Sequence, residues 1–196
     1  MEHGLKKRPA NGPAPHWGIG WRRCLCGLGV LLLLVTPLHA CWAEFTARDA
    51  QIIARALSFI EPGGTGALEI GIAYAPDRPD SVRQAEELQA AIGDALVAGK
   101  ITLKSRLIPI DQLPAATGIG AIFVTSDLGS RLDDAAAAAR RLHVPTISTE
   151  LACVRTARCV LAFSSQPTVE ITLNHDAANN AGVHFTQAFR MLVREL

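Results

Sequence analysis

The sequence predicts an α/β fold: a single three-layer domain with a mostly parallel sheet, a C-terminal β-hairpin and a terminal helix. Two observations support this class. Short apolar runs typical of strands alternate with longer segments of helical periodicity, and this alternation favours a parallel sheet with right-handed crossovers. Near the end of the chain, two strand-like runs follow each other with a two-residue connection, which indicates a hairpin.

The first half of the domain alternates helix and strand. Thr46 is a candidate N-cap for a helix that Pro62 and the glycines after it terminate. The run ALEIGIAYA, residues 67–75, is typical of a strand. Ser81 is a candidate N-cap for a second helix, which we place at residues 81–98 because its apolar residues form one stripe.

The middle of the chain continues the alternation. Residues 101–110 predict a strand with one wet face, because apolar and polar residues alternate in its first half. Residues 121–127 form a continuous apolar run that favours a buried strand. An alanine-rich helix over 130–142 and a short strand over 144–148 follow.

The C-terminal third departs from this rhythm. Residues 159–165 and 168–174 predict the two strands of the hairpin, joined by Gln166 and Pro167. Asn174 then starts a terminal helix that runs to about Arg194. The apolar side of that helix comprises Ala177, Ala178, Ala181, Phe185, Ala188, Phe189 and Leu192.

The first 43 residues have the order of a secretory signal. Basic residues precede the apolar run CLCGLGVLLLLV, and small residues follow Pro37. The run is too short to span a bilayer, so we expect cleavage after Ala40 or Ala43 and a periplasmic protein, residues 44–196. A retained anchor and a lipidated Cys41 are the alternatives.

Removal of this segment changes the charge and the cysteine count. Residues 44–196 hold 14 basic and 17 acidic residues, a net charge of about −3, which excludes a strongly basic nucleic-acid surface. Only Cys153 and Cys159 remain. In an oxidising compartment this pair can form a structural disulfide, and the arginines between the cysteines leave a redox-sensing pair as the alternative.

No catalytic constellation stands out in the sequence. There is no P-loop, HExxH or GxSxG motif, and TGIGA precedes a strand instead of following one. His175 and Asn179 share a helical face, but an amide is a poor transition-metal ligand, so we expect no metal site. We therefore expect a binding or regulatory module that has no cofactor and is not an enzyme.

The last 28 residues, VEITLNHDAANNAGVHFTQAFRMLVREL, carry a specific pattern. A strand ending in Asn174 is followed by alanines, Gly182 and a segment with an apolar face. In this pattern the chain resembles the YfiR-like family of bacterial periplasmic proteins. The segments AQIIARALSFIEP, ALEIGIAYA, AIFVTSD and VPTISTE agree with that family in order, although Glu61-Pro62 stands where it carries Trp-Pro and its second cysteine pair is absent.

The resemblance implies a periplasmic repressor of an inner-membrane diguanylate cyclase, and hence a role in cyclic di-GMP signalling and biofilm formation. It also implies a disulfide between Cys153 and Cys159, homodimers, and sequestration by an outer-membrane lipoprotein. The candidate partner-binding residues are His175, Asn179 and Arg190. The alternative is a small-ligand-binding protein serving a transporter, with a pocket lined by the loops after Ala75, Asp127 and Ser148.

Overall fold

The structure is a computed structural model that describes residues 44–62 and 64–196, so the predicted signal lies outside the described residues. In chain order the elements are α1 (Ala47–Leu57), β1 (Ile60–Glu61), β2 (Gly66–Tyr74), α2 (Pro79–Ile92), β3 (Leu96–Ala98), β4 (Ile101–Pro109), β5 (Ala121–Val124), α3 (Leu132–Leu142), β6 (Thr146–Ser148), α4 (Leu151–Arg155), β7 (Leu161–Ser164), β8 (Glu170–Leu173), α5 (His175–Ala181), β9 (His184–Phe185), α6 (Gln187–Arg190) and β10 (Arg194–Glu195). Short 3-10 turns precede β5 and α3.

The main sheet has eight strands in the order β10-β8-β7-β6-β5-β2-β4-β3. Its five central strands, from β7 to β4, are parallel to one another. Strand β8 pairs antiparallel with β7 and completes the predicted hairpin, and β3 pairs antiparallel with β4 at the other edge. A separate antiparallel pair joins β1 to β9. The mostly parallel sheet and the hairpin confirm the predicted fold class.

Two apolar cores separate the three layers. One lies between the sheet and α1 and α2 and includes Ile53, Leu88 and Phe123. The other lies between the sheet and α3 and α4 and includes Ile122 and Val154. Successive side chains of a strand point to opposite faces, so neighbouring residues of β5 supply one core each. Both faces of β5 are covered, as its continuous apolar sequence predicts, whereas the first half of β4 alternates buried residues with more exposed ones, as its alternating sequence predicts.

The helix predicted at residues 81–98 begins earlier and ends earlier than expected. Pro79 occupies its first turn, so Ser81 is not the N-cap. Gly93 ends the helix with φ 65° and ψ −152°, a backbone conformation that residues other than glycine rarely adopt. Residues Leu96–Ala98 then pair with β4 as an edge strand, so sheet pairing overrides their helical periodicity.

The terminal helix begins at His175 as predicted, but it does not continue to Arg194. Gly182 ends α5 in the left-handed region with φ 67°, and a Cβ there would lie 2.9 Å from Nδ1 of His143. The chain then forms β9 beside β1, the short helix α6, and β10 beside β8. This break leaves Leu192, which was expected on the buried side, 77% exposed.

The first of the two cysteines lies in a short helix that the sequence did not predict. Cys153 lies in α4 and Cys159 lies just before β7, and their sulfur atoms are bonded with the Cα atoms 5.2 Å apart. Both cysteines are buried in the second core. The predicted disulfide therefore anchors α4 to the start of the hairpin.

Candidate functional site

The carboxyl ends of the parallel strands form the edge of the sheet where α/β domains usually bind ligands. The parallel strands run in the spatial order β4-β2-β5-β6-β7. Since β2 comes first in the chain among them, the order reverses between β2 and β5. A crevice is expected outside the ends of these two strands, at Tyr74 and Val124.

A buried polar network fills the point of reversal. The Ser81 hydroxyl accepts a hydrogen bond from the Ala75 backbone N–H at 2.9 Å and is hydrogen-bonded to Thr125 at 2.6 Å. Thr125 in turn donates to the carbonyl of Ala73 at 3.0 Å. These side chains tie α2 to the ends of β2 and β5, so the open space lies farther along the edge.

One cavity lies next to this network, over the ends of β6 and β7. We call it the edge cavity; its volume is about 300 Å³. It is lined by Glu44, Phe45, Asp49, Gln84, Thr149, Phe163, Ser164, Ser165 and Gln166. The start of α1, the side of α2, the loop after β6 and the turn of the hairpin thus converge on one concave site.

Two phenylalanines form the apolar part of the edge cavity. The Phe45 ring meets Phe123 edge-to-face with ring centroids 5.4 Å apart, and Phe163 lies at 6.3 Å from Phe45. Phe123 and Phe163 are buried in the first core, whereas Phe45 is half-buried at the cavity wall. Their packing fixes the shape of the apolar wall from beneath.

Asp49 supplies a nearly buried carboxylate to the same cavity. Its side chain accepts hydrogen bonds from the backbone N–H of Thr46 at 2.7 Å and from the Thr46 hydroxyl at 2.5 Å. Burial raises the pKa of Asp49, but hydrogen bonds from Ser165 and Thr46 outweigh it, and the net shift of the pKa is downward. Asp49 is therefore ionised at neutral pH.

Two further depressions extend the edge on the other side of Gln84. One, of about 380 Å³, lies between α2 and the loops after β5 and β6. The other, of about 270 Å³, lies between those loops and α4. Asp127 and Glu150 line both depressions, so the predicted loops after Asp127 and Ser148 do border concave surface. Asp77, from the predicted loop after Ala75, instead pairs with Arg131 at 2.8 Å.

The candidate partner-binding residues converge elsewhere, at the C-terminal end of the chain. His175, Asn179 and Arg190 line one small depression of about 50 Å³, although they come from two helices instead of one. The Arg190 guanidinium donates to both carboxylate oxygens of Glu195, at 2.5 and 3.1 Å. We call this surface the C-terminal depression. Its role in binding a partner stays a prediction.

The surroundings of the disulfide are arranged by hydrogen bonds to its loop. Arg158 donates to the Asp133 carboxylate from Nε at 2.7 Å and thereby ties the loop to α3. The Asn174 side-chain amide donates to the Val154 carbonyl at 2.8 Å. Both contacts support a structural role of the bridged segment.

The described residues contain neither a cluster of metal ligands nor a membrane-spanning helix. No three His, Cys, Asp or Glu side chains in residues 44–62 and 64–196 come together as metal ligands could. In the same ranges, no helix has both the length and the apolar character needed to cross a bilayer.

The sequence predicted one wall of the edge cavity, the loop after Ser148 that supplies Thr149, but it did not single out the other lining residues. The pattern Thr46-x-x-Asp49 is a recognisable capping signal, but it predicts a helix start and carries no sign of a cavity. Phe163 and Gln84 lie in a strand and a helix that are far apart in the chain. Only the packing of α1 and α2 on the sheet brings these positions together.

Comparisons with known proteins define the fold. No family model matches the chain, and no curated protein matches it. Among solved structures, a conserved domain protein from Vibrio cholerae O1 biovar El Tor has a TM-score of 0.54 and 14% identity over 78% of this chain. The ABC domain from Streptococcus pneumoniae, solved in complex with L-Trp, has a TM-score of 0.53 and 14% identity over 74% of this chain. The matches cover 60% and 59% of those two chains.

Proposed function

We propose that this protein is an exported regulatory binding protein of the YfiR-like type. In this proposal it docks in the periplasm onto an inner-membrane diguanylate cyclase and holds the enzyme inactive, without catalysing a reaction itself. The supporting observation comes from residues 169–196, where residues that carry the family resemblance cap a helix, end it or pack in the core. Asn174 caps α5, Gly182 ends it, and Phe185 and Phe189 stack at 5.0 Å.

The repressor role is tested by deleting the gene and measuring cyclic di-GMP. We expect the level to rise, and an unchanged level would refute the role. Complementation with His175→Ala and Asn179→Ala together should fail to restore the low level if the C-terminal depression contacts the partner. Glu86→Ala on the exposed side of α2 is the matched control and should restore it.

The predicted export is tested separately by cell fractionation. We expect the protein in the periplasmic fraction with residues 1–43 removed. A cytosolic protein that keeps its first residues would contradict both export and the proposed partner. A membrane-bound form released by lipid cleavage would instead favour the lipidated Cys41.

The edge cavity supports a second function, the binding of a small ligand. A cavity of about 300 Å³ with an apolar wall and a few polar groups has the character of a metabolite site. Its place at the carboxyl ends of parallel strands also fits the usual ligand position of such folds. The ligand-bound ABC domain of similar fold is compatible with this function.

A thermal-shift screen against metabolites tests ligand binding. A ligand at 100 times its Kd should add about 2.7 kcal/mol to the free energy of unfolding. The variant Phe163→Leu should lower the affinity for that ligand, because it removes part of the apolar wall. If no compound in a broad set raises the unfolding midpoint, the ligand-binding function fails while the repressor function stands.

A further inference from the structure

The described residues that line the edge cavity include a nearly buried carboxylate and no basic side chain. Asp49 is only 6% exposed, and each hydrogen bond that its carboxylate receives comes from a neutral donor, in Thr46 or Ser165. Among the described residues that line the cavity there is no lysine, arginine or histidine. Carboxylates that are removed from water usually have a cationic partner, so this arrangement is unusual.

The capping of α1 explains part of this arrangement. Asp49 and Thr46 form a reciprocal capping box, and a carboxylate in the first turn is favourable to the helix dipole. Capping does not account for the second carboxylate on the cavity wall, Glu44, which is exposed and belongs to no helix. Together the two side chains give the cavity a negative potential that disfavours anions and attracts cations.

The remaining walls restrict what kind of cation fits. Phe45 and Phe163 offer aromatic surface for an apolar body. A ring face also attracts a cation within about 6 Å of its centroid. Gln84 and Thr149 are already hydrogen-bonded to each other at 3.4 Å, and they form a polar rim. A volume of about 300 Å³ is at the small end of ligand sites and suits a molecule of amino-acid size.

We propose that the edge cavity binds a small organic amine, with its protonated amino group against Asp49 and Glu44 and its apolar, preferably aromatic, body against Phe45 and Phe163. This inference rests on the proposed ligand-binding function and names the class of ligand. The amino group supplies a positive charge that the described side chains of the cavity walls do not provide. The ring takes the place of water at the apolar wall, which adds affinity by burial of apolar surface.

Three probes of nearly equal shape separate the contributions of charge and ring. Phenethylamine, 2-phenylethanol and 3-phenylpropionate share a phenyl ring on a short chain and are cationic, neutral and anionic at pH 7. Isothermal titration calorimetry with the purified protein should give the tightest binding for phenethylamine. We expect the alcohol to bind about tenfold more weakly, the usual effect of losing a charge-assisted hydrogen bond, and the propionate to bind more weakly still.

Variants locate the effect in the cavity. Asp49→Asn keeps a capping oxygen and removes the charge. It should weaken the binding of phenethylamine about tenfold and leave the affinity for 2-phenylethanol unchanged. Glu44→Gln lies outside the capping box and should weaken the binding of phenethylamine severalfold. It serves as the test if Asp49→Asn does not fold. Glu86→Gln on the far side of α2 is the matched control and should leave both affinities unchanged.

The outcomes distinguish this inference from the function on which it rests. Binding of the alcohol or the propionate as tightly as phenethylamine, with sensitivity to Phe163→Leu, would keep the ligand site and overturn the amine class. Amine affinity that is unchanged in Glu44→Gln and Asp49→Asn would also overturn it. A protein that binds none of the three probes refutes the amine class, and a negative metabolite screen would refute the ligand site as well.

Discussion

Asp49 in the edge cavity and Glu195 beside the C-terminal depression are both hydrogen-bonded carboxylates, but they have different partners. Glu195 faces the Arg190 guanidinium, which lowers its pKa. The pKa of Asp49 is also lowered, in spite of burial, but the groups that lower it are the neutral donors Ser165 and Thr46. The lowered pKa of Glu195 therefore reflects a cationic partner, whereas the lowered pKa of Asp49 reflects neutral hydrogen-bond donors alone.

The comparison indicates what each region can recognise. At the C-terminal depression Arg190 is paired with Glu195, so we expect a partner there to be recognised by shape and by the polar groups of His175 and Asn179. At the edge cavity the two carboxylates, with no basic side chain among the described lining residues, favour a cation. We therefore propose a different partner for each region, a protein surface for the C-terminal depression and a small amine for the edge cavity.

The largest expected effect concerns the disulfide between Cys153 and Cys159, which anchors α4 to the start of the C-terminal hairpin. Replacement of Cys153 and Cys159 by alanine should lower the free energy of unfolding by about 2 to 3 kcal/mol, because the unfolded chain is no longer constrained. Chemical denaturation of the two proteins under oxidising conditions measures this difference. Equal midpoints would show that the bridge contributes nothing to stability.

Asn174→Ala should lower the free energy of unfolding slightly less, by about 2 kcal/mol. The side chain caps α5 by accepting from the Ala177 N–H at 2.7 Å, and its amide donates to the buried Val154 carbonyl. The measurement is the urea midpoint with the slope held in common. A loss below about 0.5 kcal/mol would mean that the contact with α4 is replaced by water.

Asp49→Asn should lower stability at neutral pH by about 1 kcal/mol, the usual cost of weakening a helix cap. The pKa of Asp49 is lower in the folded protein than the value of about 3.9 in an unfolded chain. Its stabilising contribution is therefore present above about pH 4 and is lost as the pH falls through the folded pKa. The difference between wild type and variant should be complete at pH 7 and shrink in denaturation measured below pH 4.

Glu195→Gln is expected to have the smallest effect. Its contact with Arg190 is exposed to solvent, and exposed ion pairs contribute little to stability. The thermal midpoint should stay unchanged within error at low and at high salt. A loss as large as that of Asp49→Asn would contradict the view that the C-terminal pair only balances local charge.

The sequence predicted these parallel strands because each has a strand pattern, a continuous apolar run in residues 121–127 and an alternating one in the first half of residues 101–110. Residues 101–110 and 121–127 were predicted as strands, and the structure has β4 at Ile101–Pro109 and β5 at Ala121–Val124. Thr46 was predicted as a cap and is one. In these places local preference and tertiary packing agree, so a reading of short windows is sufficient.

The terminal helix was predicted too long, and most of the edge cavity was not predicted, for a common reason. Helical periodicity alone could not show that Gly182 adopts a left-handed conformation, or that His184 and Phe185 pair with β1. The cavity likewise depends on contacts between residues that are far apart in the chain, such as Phe45 and Phe163. Window-based reasoning does not include contacts of this kind.

The most direct test of the account is an NMR titration of the isotope-labelled protein with phenethylamine. The account predicts that the amide signals of Phe45, Asp49 and Ser165 shift with a common affinity. The signals of His175, Asn179 and Arg190 should stay in place over the same range. Shifts centred on the C-terminal depression, or no shifts in either region at millimolar amine, would contradict the assignment of the edge cavity as the amine site.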